Sequence, residues 1–132
     1  MSTNANLLIG KWEFIGAEKI NGTNWEPSEY VKGMTWEFFP IFFNANKTIG
    51  NISEIAPANG KHISLNYSFD SSTNNLRIEI YTDKKTKILD EVDIYELSEF
   101  AQSTTRSTMT LSLINQIGYP TPYMRYRLRR VE

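Results

Sequence analysis

Cysteine is absent from this chain of 132 residues, and histidine occurs once. Without a thiol there is no disulfide, no zinc–thiolate centre and no cysteine nucleophile. With His62 as the lone imidazole, a histidine-rich metal site and a Ser-His-Asp triad both lack partners. We interpret His62, which follows a glycine-containing loop, as a solvent-facing strand residue. We therefore expect no metal and no cofactor.

The chain also lacks a large net charge and long apolar runs. Fourteen basic residues against fifteen acidic ones leave a net charge of −1, so electrostatics gives no case for a nucleic-acid partner. The one local basic run is interpreted as the solvated face of a last strand: Arg125, Arg127, Arg129 and Arg130. No stretch approaches the roughly 18 apolar residues of a membrane helix, and the N-terminal MSTNANLL does not read as a signal peptide. We predict no integral membrane segment, and either a cytoplasmic protein or a mature form whose signal has been removed.

What the chain does have is apolar residues that alternate with polar ones, the period of a half-buried strand. Its length suits one domain, and we predict a disordered tail over residues 1–6 followed by one domain over residues 7–132. The segment 23–33 is predicted as a loop with at most one helical turn, and Pro40 as a bulge. The predicted strands are 7–20, 34–43, 48–55, 63–69, 76–80, 88–97, 107–114 and 123–131.

Eight such strands joined by short turns predict an all-β fold, an antiparallel up-and-down β-barrel with no long helix. A meander of this kind leaves two free edges unless its first and last strands pair. In that pairing the inward parity of the last strand brings Arg130 close to Trp12.

The opening Gly10-Lys11-Trp12, the strand count and the terminal arginine together resemble the lipocalins and their wider calycin superfamily. In sequence pattern the chain is similar to short single-domain lipocalin-like proteins of Bacteroidetes, many of which are cell-envelope lipoproteins. The resemblance implies an arginine packed across Trp12 at the closed end, with Arg130 the first choice and Arg127 the second, and it implies a cell-envelope location. Classical lipocalins are longer and carry a helix after the barrel, for which this sequence gives no sign.

Fatty-acid-binding proteins are the rival resemblance, since they share the length and the Gly-x-Trp. They insert two helices between their first two strands, for which the linker Asn21 to Gly33 is too short. They also take a carboxylate with an inward Arg-x-Tyr on the last strand. Here the order is Arg125-Tyr126-Arg127, which directs arginine and tyrosine to opposite faces.

Two functions are favoured, and neither is enzymatic; a barrel enzyme or a haem-site protein is the third and weakest hypothesis. The first is the binding of a small hydrophobic or amphipathic ligand inside the barrel, which the high aromatic content favours. The alternative is a cell-envelope module with a filled core that contacts a protein or a glycan through loops 23–30 and 115–123. We expect a monomer or weak dimer in either case. The candidate interior residues are Trp36, Phe38, Tyr67, Ile78, Ile80, Met109, Leu111 and Tyr126.

An acidic cluster on the sixth predicted strand is the one place for carboxylate chemistry. On a strand whose alternate residues are apolar, acidic side chains usually solvate the outer face, and we place Val92 and Ile94 inward there. A catalytic carboxylate pair is therefore not predicted. The cluster consists of Asp90, Glu91, Asp93, Glu96 and Glu99.

Overall fold

The computed structural model describes residues 8–30, 32–44, 46–57, 61–83, 88–102, 107–117 and 124–131. Every regular element in these ranges is a β-strand, as the sequence predicts. The tail expected over residues 1–6 lies outside them. The nine strands are β1 (Gly10–Asn21), β2 (Asn24–Pro27), β3 (Thr35–Asn44), β4 (Lys47–Ala56), β5 (Lys61–Asp70), β6 (Asn75–Asp83), β7 (Ile88–Gln102), β8 (Ser107–Ile117) and β9 (Met124–Val131).

The nine strands form a single antiparallel sheet in the order β2-β1-β3-β4-β5-β6-β7-β8-β9. The first and last long strands also pair, β1 with β9, so the sheet closes into a ring. Pairing of the chain's two ends is what the sequence predicts, since it leaves neither β1 nor β9 with a free edge. Within the described ranges no helix is long and apolar enough to cross a membrane.

The short strand β2 is the difference from the predicted eight strands, because it occupies the segment expected to be a loop. Asn24–Pro27 pairs with Glu18–Asn21 of β1, which leaves Gly22 and Thr23 as a two-residue turn. Gly22 has φ +65°, the left-handed conformation that tight hairpin turns require. The turn chemistry therefore forms a hairpin here, and Pro27 falls at the end of a short outer strand where a missing N–H is tolerated.

Alternation along the strands places large apolar side chains inside the ring. Trp36 and Phe38 are buried as predicted, while Phe39 on the other face is exposed. The bulge predicted at Pro40 is present, since the β3–β4 register shifts between Pro40 and Phe42. Gly50 lies opposite Pro40, and a Cβ there would collide with the Phe39 carbonyl oxygen.

Ion pairs line the outer side of the β1–β9 seam. The basic run of β9 faces carboxylates of β1: Arg125 Nε lies 3.0 Å from Glu18 Oε1, Arg127 lies 3.1 Å from the same oxygen, and Arg129 lies 2.8 Å from Glu13. Hydrogen bonding from Arg125 is the largest influence that lowers the pKa of Glu18. Three arginines of the run, Arg125, Arg127 and Arg129, therefore face carboxylates of β1, and the run does not form a phosphate-binding stripe.

Candidate functional site

Trp12 and Arg130 form a contact where the first and last long strands meet, which we call the closed end. The two residues are directly paired across β1 and β9, and the Arg130 guanidinium lies 4.5 Å from the centre of the Trp12 ring. Arg130 Nη1 also donates to the Ile9 carbonyl oxygen at 2.7 Å, and Trp12 Nε1 donates to the Leu8 carbonyl oxygen at 2.9 Å. Gly10, with φ +127°, leaves no space for a Cβ beside the guanidinium. The contact predicted for Arg130 is present.

One part of the interior is filled by side chains, and we call it the filled half. Four of the eight interior residues predicted from the sequence lie here. They are at most 2% exposed and are not among the residues that line the cavity described below: Phe38, Tyr67, Met109 and Leu111. The Tyr67 hydroxyl is buried with no hydrogen-bond partner among the described residues. Burial raises the pKa of Tyr67 to about 12, because the charged form would lose its solvation.

The rest of the interior contains a cavity, and we call this part the hollow half. A cavity of about 400 Å³ lies inside the ring and reaches the surface beside Glu29, which is exposed. Its volume falls within the range of small-molecule sites, about 300–1,000 Å³. The described side chains that line it are Phe14, Glu29, Tyr30, Met34, Trp36, Glu54, Ile63, Leu65, Ile78, Ile80, Asp93, Tyr95 and Tyr126.

Four of the predicted interior residues line this cavity, namely Trp36, Ile78, Ile80 and Tyr126. The sequence reasoning missed the carboxylates and Tyr95 among the others. Asp93 was expected on the outer face with its acidic neighbours, and that expectation is wrong, because Asp93 is buried and lines the cavity. The physical reason is the register of the sheet: Ile78 of β6 pairs with Asp93 and Leu76 pairs with Tyr95, and paired residues point to the same side.

Of the remaining acidic cluster, Glu96 is exposed as expected. The side chains of Asp90, Glu99 and His62 lie outside the part of the chain that the structure describes, so those expectations stay predictions. Within the described part, no group of three or more metal-ligating side chains is placed to hold a metal ion.

Four aromatic rings build one wall of the cavity by edge-to-face packing. Phe14 lies 4.9 Å from Trp36 and 5.8 Å from Tyr126 between ring centres, and Tyr95 lies 6.4 Å from Trp36 and 6.3 Å from Tyr126. These separations fall in the favourable range for T-shaped contacts. The four rings therefore stabilise one another's positions in this wall.

Polar groups interrupt the apolar lining at a few points. Glu54 Oε1 accepts a hydrogen bond from Trp36 Nε1 at 2.7 Å, which fixes both side chains. Tyr30 at the mouth donates its hydroxyl to the Ile15 carbonyl oxygen at 2.9 Å. A few fixed polar groups in an apolar concavity are the usual composition of a small-molecule site.

The Asp93 carboxylate acts on both tyrosines of the aromatic wall. Burial is the main cause that raises the pKa of Tyr95 well above its usual value, and the negative charge of Asp93 adds to it. The same two causes, in the same order, raise the pKa of Tyr126. The tyrosines therefore stay neutral at physiological pH, and their hydroxyls act as hydrogen-bonding groups and not as anions.

Comparison with models of protein families, with curated proteins and with solved structures finds no match to this chain. The resemblance to lipocalins therefore depends on the residues and their arrangement alone.

Proposed function

We propose that this protein is a lipocalin-like carrier that binds a small hydrophobic or amphipathic molecule in the hollow half of its interior and catalyses no reaction. In this view the ring is an eight-stranded up-and-down β-barrel formed by β1 and β3–β9, with β2 an addition beside β1. The resemblance is supported by Gly10, Trp12 and Arg130, which come together where the barrel closes.

The observation that carries the proposal is the cavity of about 400 Å³ with a mouth beside Glu29. Each buried methylene group of a guest contributes ~0.8 kcal/mol, so an eight-carbon chain gains roughly 6.4 kcal/mol before ordering costs. That gain corresponds to a dissociation constant no tighter than roughly 20 µM. A simple alkyl chain is therefore expected to bind weakly, and a native ligand to add polar contacts.

The direct test is a titration with a neutral apolar probe, N-phenyl-1-naphthylamine, followed by probe and tryptophan fluorescence. Ile80→Phe places a larger side chain in the cavity and should weaken binding by at least about 10-fold, since the lost space excludes the guest. Ile114→Phe, at an exposed position of β8, is the matched control and should bind as the wild type does. Absence of probe binding to the wild type, or equal binding by Ile80→Phe, would contradict the proposal.

A second candidate function, protein recognition, is favoured by an apolar surface on β3 and β4. Its side chains are between 45% and 68% exposed, namely Phe39, Ile41, Phe42, Phe43 and Ile49. A concentration of exposed apolar side chains is typical of a surface that binds a partner. Among the described residues, β1 pairs with β3 only over Thr35–Phe38, and no other described strand pairs with the rest of that edge of β3. An unpaired strand edge is what strand addition uses.

On this second view an extended segment of a partner protein lies along β3. Capture from an envelope extract should succeed with the wild type and with Ile114→Ser, and fail with a Phe42→Ser Phe43→Ser double variant. The captured complex should also show slower amide exchange in β3 than the free protein. Equal capture by all three, or unchanged exchange in β3, argues against recognition through this surface.

A further inference from the structure

The charged side chains among the described lining residues of the cavity are all carboxylates. Three carboxylates line it, those of Glu29 at the mouth, Glu54 on β4 and Asp93 on β7, and no lysine or arginine is among the described lining residues. A concave site with low-dielectric walls and one sign of charge concentrates ions of the opposite sign. The net charge of the whole chain, −1, gives no hint of this local excess.

The arginines of β9 are engaged elsewhere. Arg125 and Arg127 lie on the outer side of the seam in contact with Glu18, and Arg129 contacts Glu13. Arg130 lies against Trp12 at the closed end. A guest with a carboxylate head would therefore enter a site that offers it no cation among the described residues and that already holds negative charge, which is costly for a desolvated anion.

The aromatic wall suits the opposite kind of guest. The faces of tryptophan, tyrosine and phenylalanine rings attract a cation that lies within about 6 Å of them. Trp36, Tyr95 and Tyr126 line the cavity together with the carboxylates, and Glu54 is held in place by Trp36 Nε1 at 2.7 Å. An ammonium group has three N–H donors, so it can be bound by carboxylate oxygens and ring faces at once.

We infer that the ligand of this cavity is an amphipathic organic cation, with an apolar body against Met34, Ile63, Leu65, Ile78 and Ile80 and a protonated amine between Asp93, Glu54 and the aromatic rings. The inference rests on the proposed ligand-binding function and specifies its chemical class. It also separates this protein from a carrier of fatty acids, whose head group has the opposite charge.

Three probes with the same chain and different heads test the inference: octylammonium, 1-octanol and octanoate. Each is titrated at neutral pH into the wild-type protein by calorimetry and by tryptophan fluorescence, with equal concentrations of salt. Octylammonium is expected to bind at least about 10-fold more tightly than 1-octanol, the gain of a charge-assisted hydrogen bond. Octanoate is expected to bind most weakly of the three.

The outcomes separate the two proposals. Equal affinity for octylammonium and 1-octanol, or tighter binding of octanoate, overturns the inference while the cavity remains a binding site. No binding of any probe overturns both the inference and the proposed function. Because the wild type alone answers this question, the result does not depend on whether a variant folds.

Two variants then locate the charge that is responsible. Asp93→Asn and Glu54→Gln keep the size of each side chain, and the amide oxygen introduced by Glu54→Gln can still accept from Trp36 Nε1. Each variant should weaken octylammonium binding by about 10-fold and leave 1-octanol within about twofold. Glu96→Gln, at an exposed position of the same strand as Asp93, is the control and should change neither affinity. A preference for octylammonium that survives in both cavity variants would contradict the assignment of the amine site.

Discussion

Arg130 and Trp12 are paired across the two ends of the chain, with the guanidinium 4.5 Å from the centre of the indole ring. The two residues are far apart in sequence, so the contact exists only when β9 docks beside β1. Arg130 also donates to the Ile9 carbonyl oxygen at 2.7 Å. The pair therefore links closure of the sheet to a specific interaction, and its strength is measurable as stability.

Replacement of Arg130 by methionine keeps the aliphatic stem and removes the charge. We expect the free energy of unfolding to fall by about 2 kcal/mol, from the lost cation–π contact and the lost hydrogen bond to Ile9. Urea denaturation measures it. Arg77→Met is the control, because the Arg77 side chain is 43% exposed and its contact with Glu79 is longer, 3.4 Å; a change within about 0.5 kcal/mol is expected there. Equal effects of the two substitutions would show that the Trp12 contact contributes nothing of its own.

Gly10→Ala should destabilise the protein strongly. Gly10 has φ +127°, which side chains rarely adopt, and a Cβ there meets Arg130 Nη1. We expect a loss of about 2 to 4 kcal/mol. In an Arg130→Met background part of that loss should disappear, since the colliding group is gone.

Gly16→Ala in the same strand is the matched control for Gly10→Ala. Nothing lies within 4 Å of a Cβ at Gly16, so the substitution should be neutral or stabilise by up to about 1 kcal/mol. If both alanine variants unfold at the same urea concentration, the strain assigned to Gly10 is wrong.

The sequence predicts the all-β class and the β1–β9 closure because both follow from local alternation and from the need to remove free edges. It could not place the carboxylates of the cavity. On β7 both phases of the strand carry apolar residues, Val92 and Ile94 in one and Tyr95 and Leu97 in the other. Only the pairing of Ile78 with Asp93 across the sheet decides which phase faces inward, and that register is a long-range property.

The sequence does not predict which interior residues line the cavity and which fill the core. Met109 and Ile80 are both large and apolar, yet the first is 1% exposed in the filled half and the second lines the cavity. Which of them meets a neighbour across the ring depends on distances between strands that are not adjacent, and alternation along one strand carries no information about those distances.

Tyr67→Phe is expected to stabilise the protein. The Tyr67 hydroxyl is buried without a hydrogen-bond partner among the described residues, and removal of an unsatisfied buried group recovers its desolvation cost, about 1 kcal/mol. Tyr30→Phe is the contrasting variant, because the Tyr30 hydroxyl donates to Ile15 at 2.9 Å, and it should destabilise by about 1 kcal/mol. Thermal and urea denaturation check both signs. A loss of stability in Tyr67→Phe would show that its hydroxyl has a partner after all.

The free energy of unfolding should fall in alkaline solution because the pKa of Tyr67 is raised in the folded protein. Its pKa in the folded protein is about 12, against about 10 in an unfolded chain. Below pH 10 both states keep the proton and the contribution is constant; between about pH 10 and pH 12 the unfolded state releases the proton while the folded state holds it, so stability decreases as pH rises. Burial raises the pKa of Tyr95 and of Tyr126 as well, and both act in the same direction.

The measurement is the urea midpoint at a series of pH values from about 9 to 11, a window set by the unfolded tyrosine value, with tyrosinate absorbance recorded on the folded protein. Lysine side chains titrate in the same window, so the informative quantity is the difference between the wild type and Tyr67→Phe. The variant should lose stability less steeply, because one group that releases its proton only on unfolding has been removed. Parallel curves for the two proteins would mean that Tyr67 ionises alike in the folded and unfolded states, which its burial in the filled half does not allow.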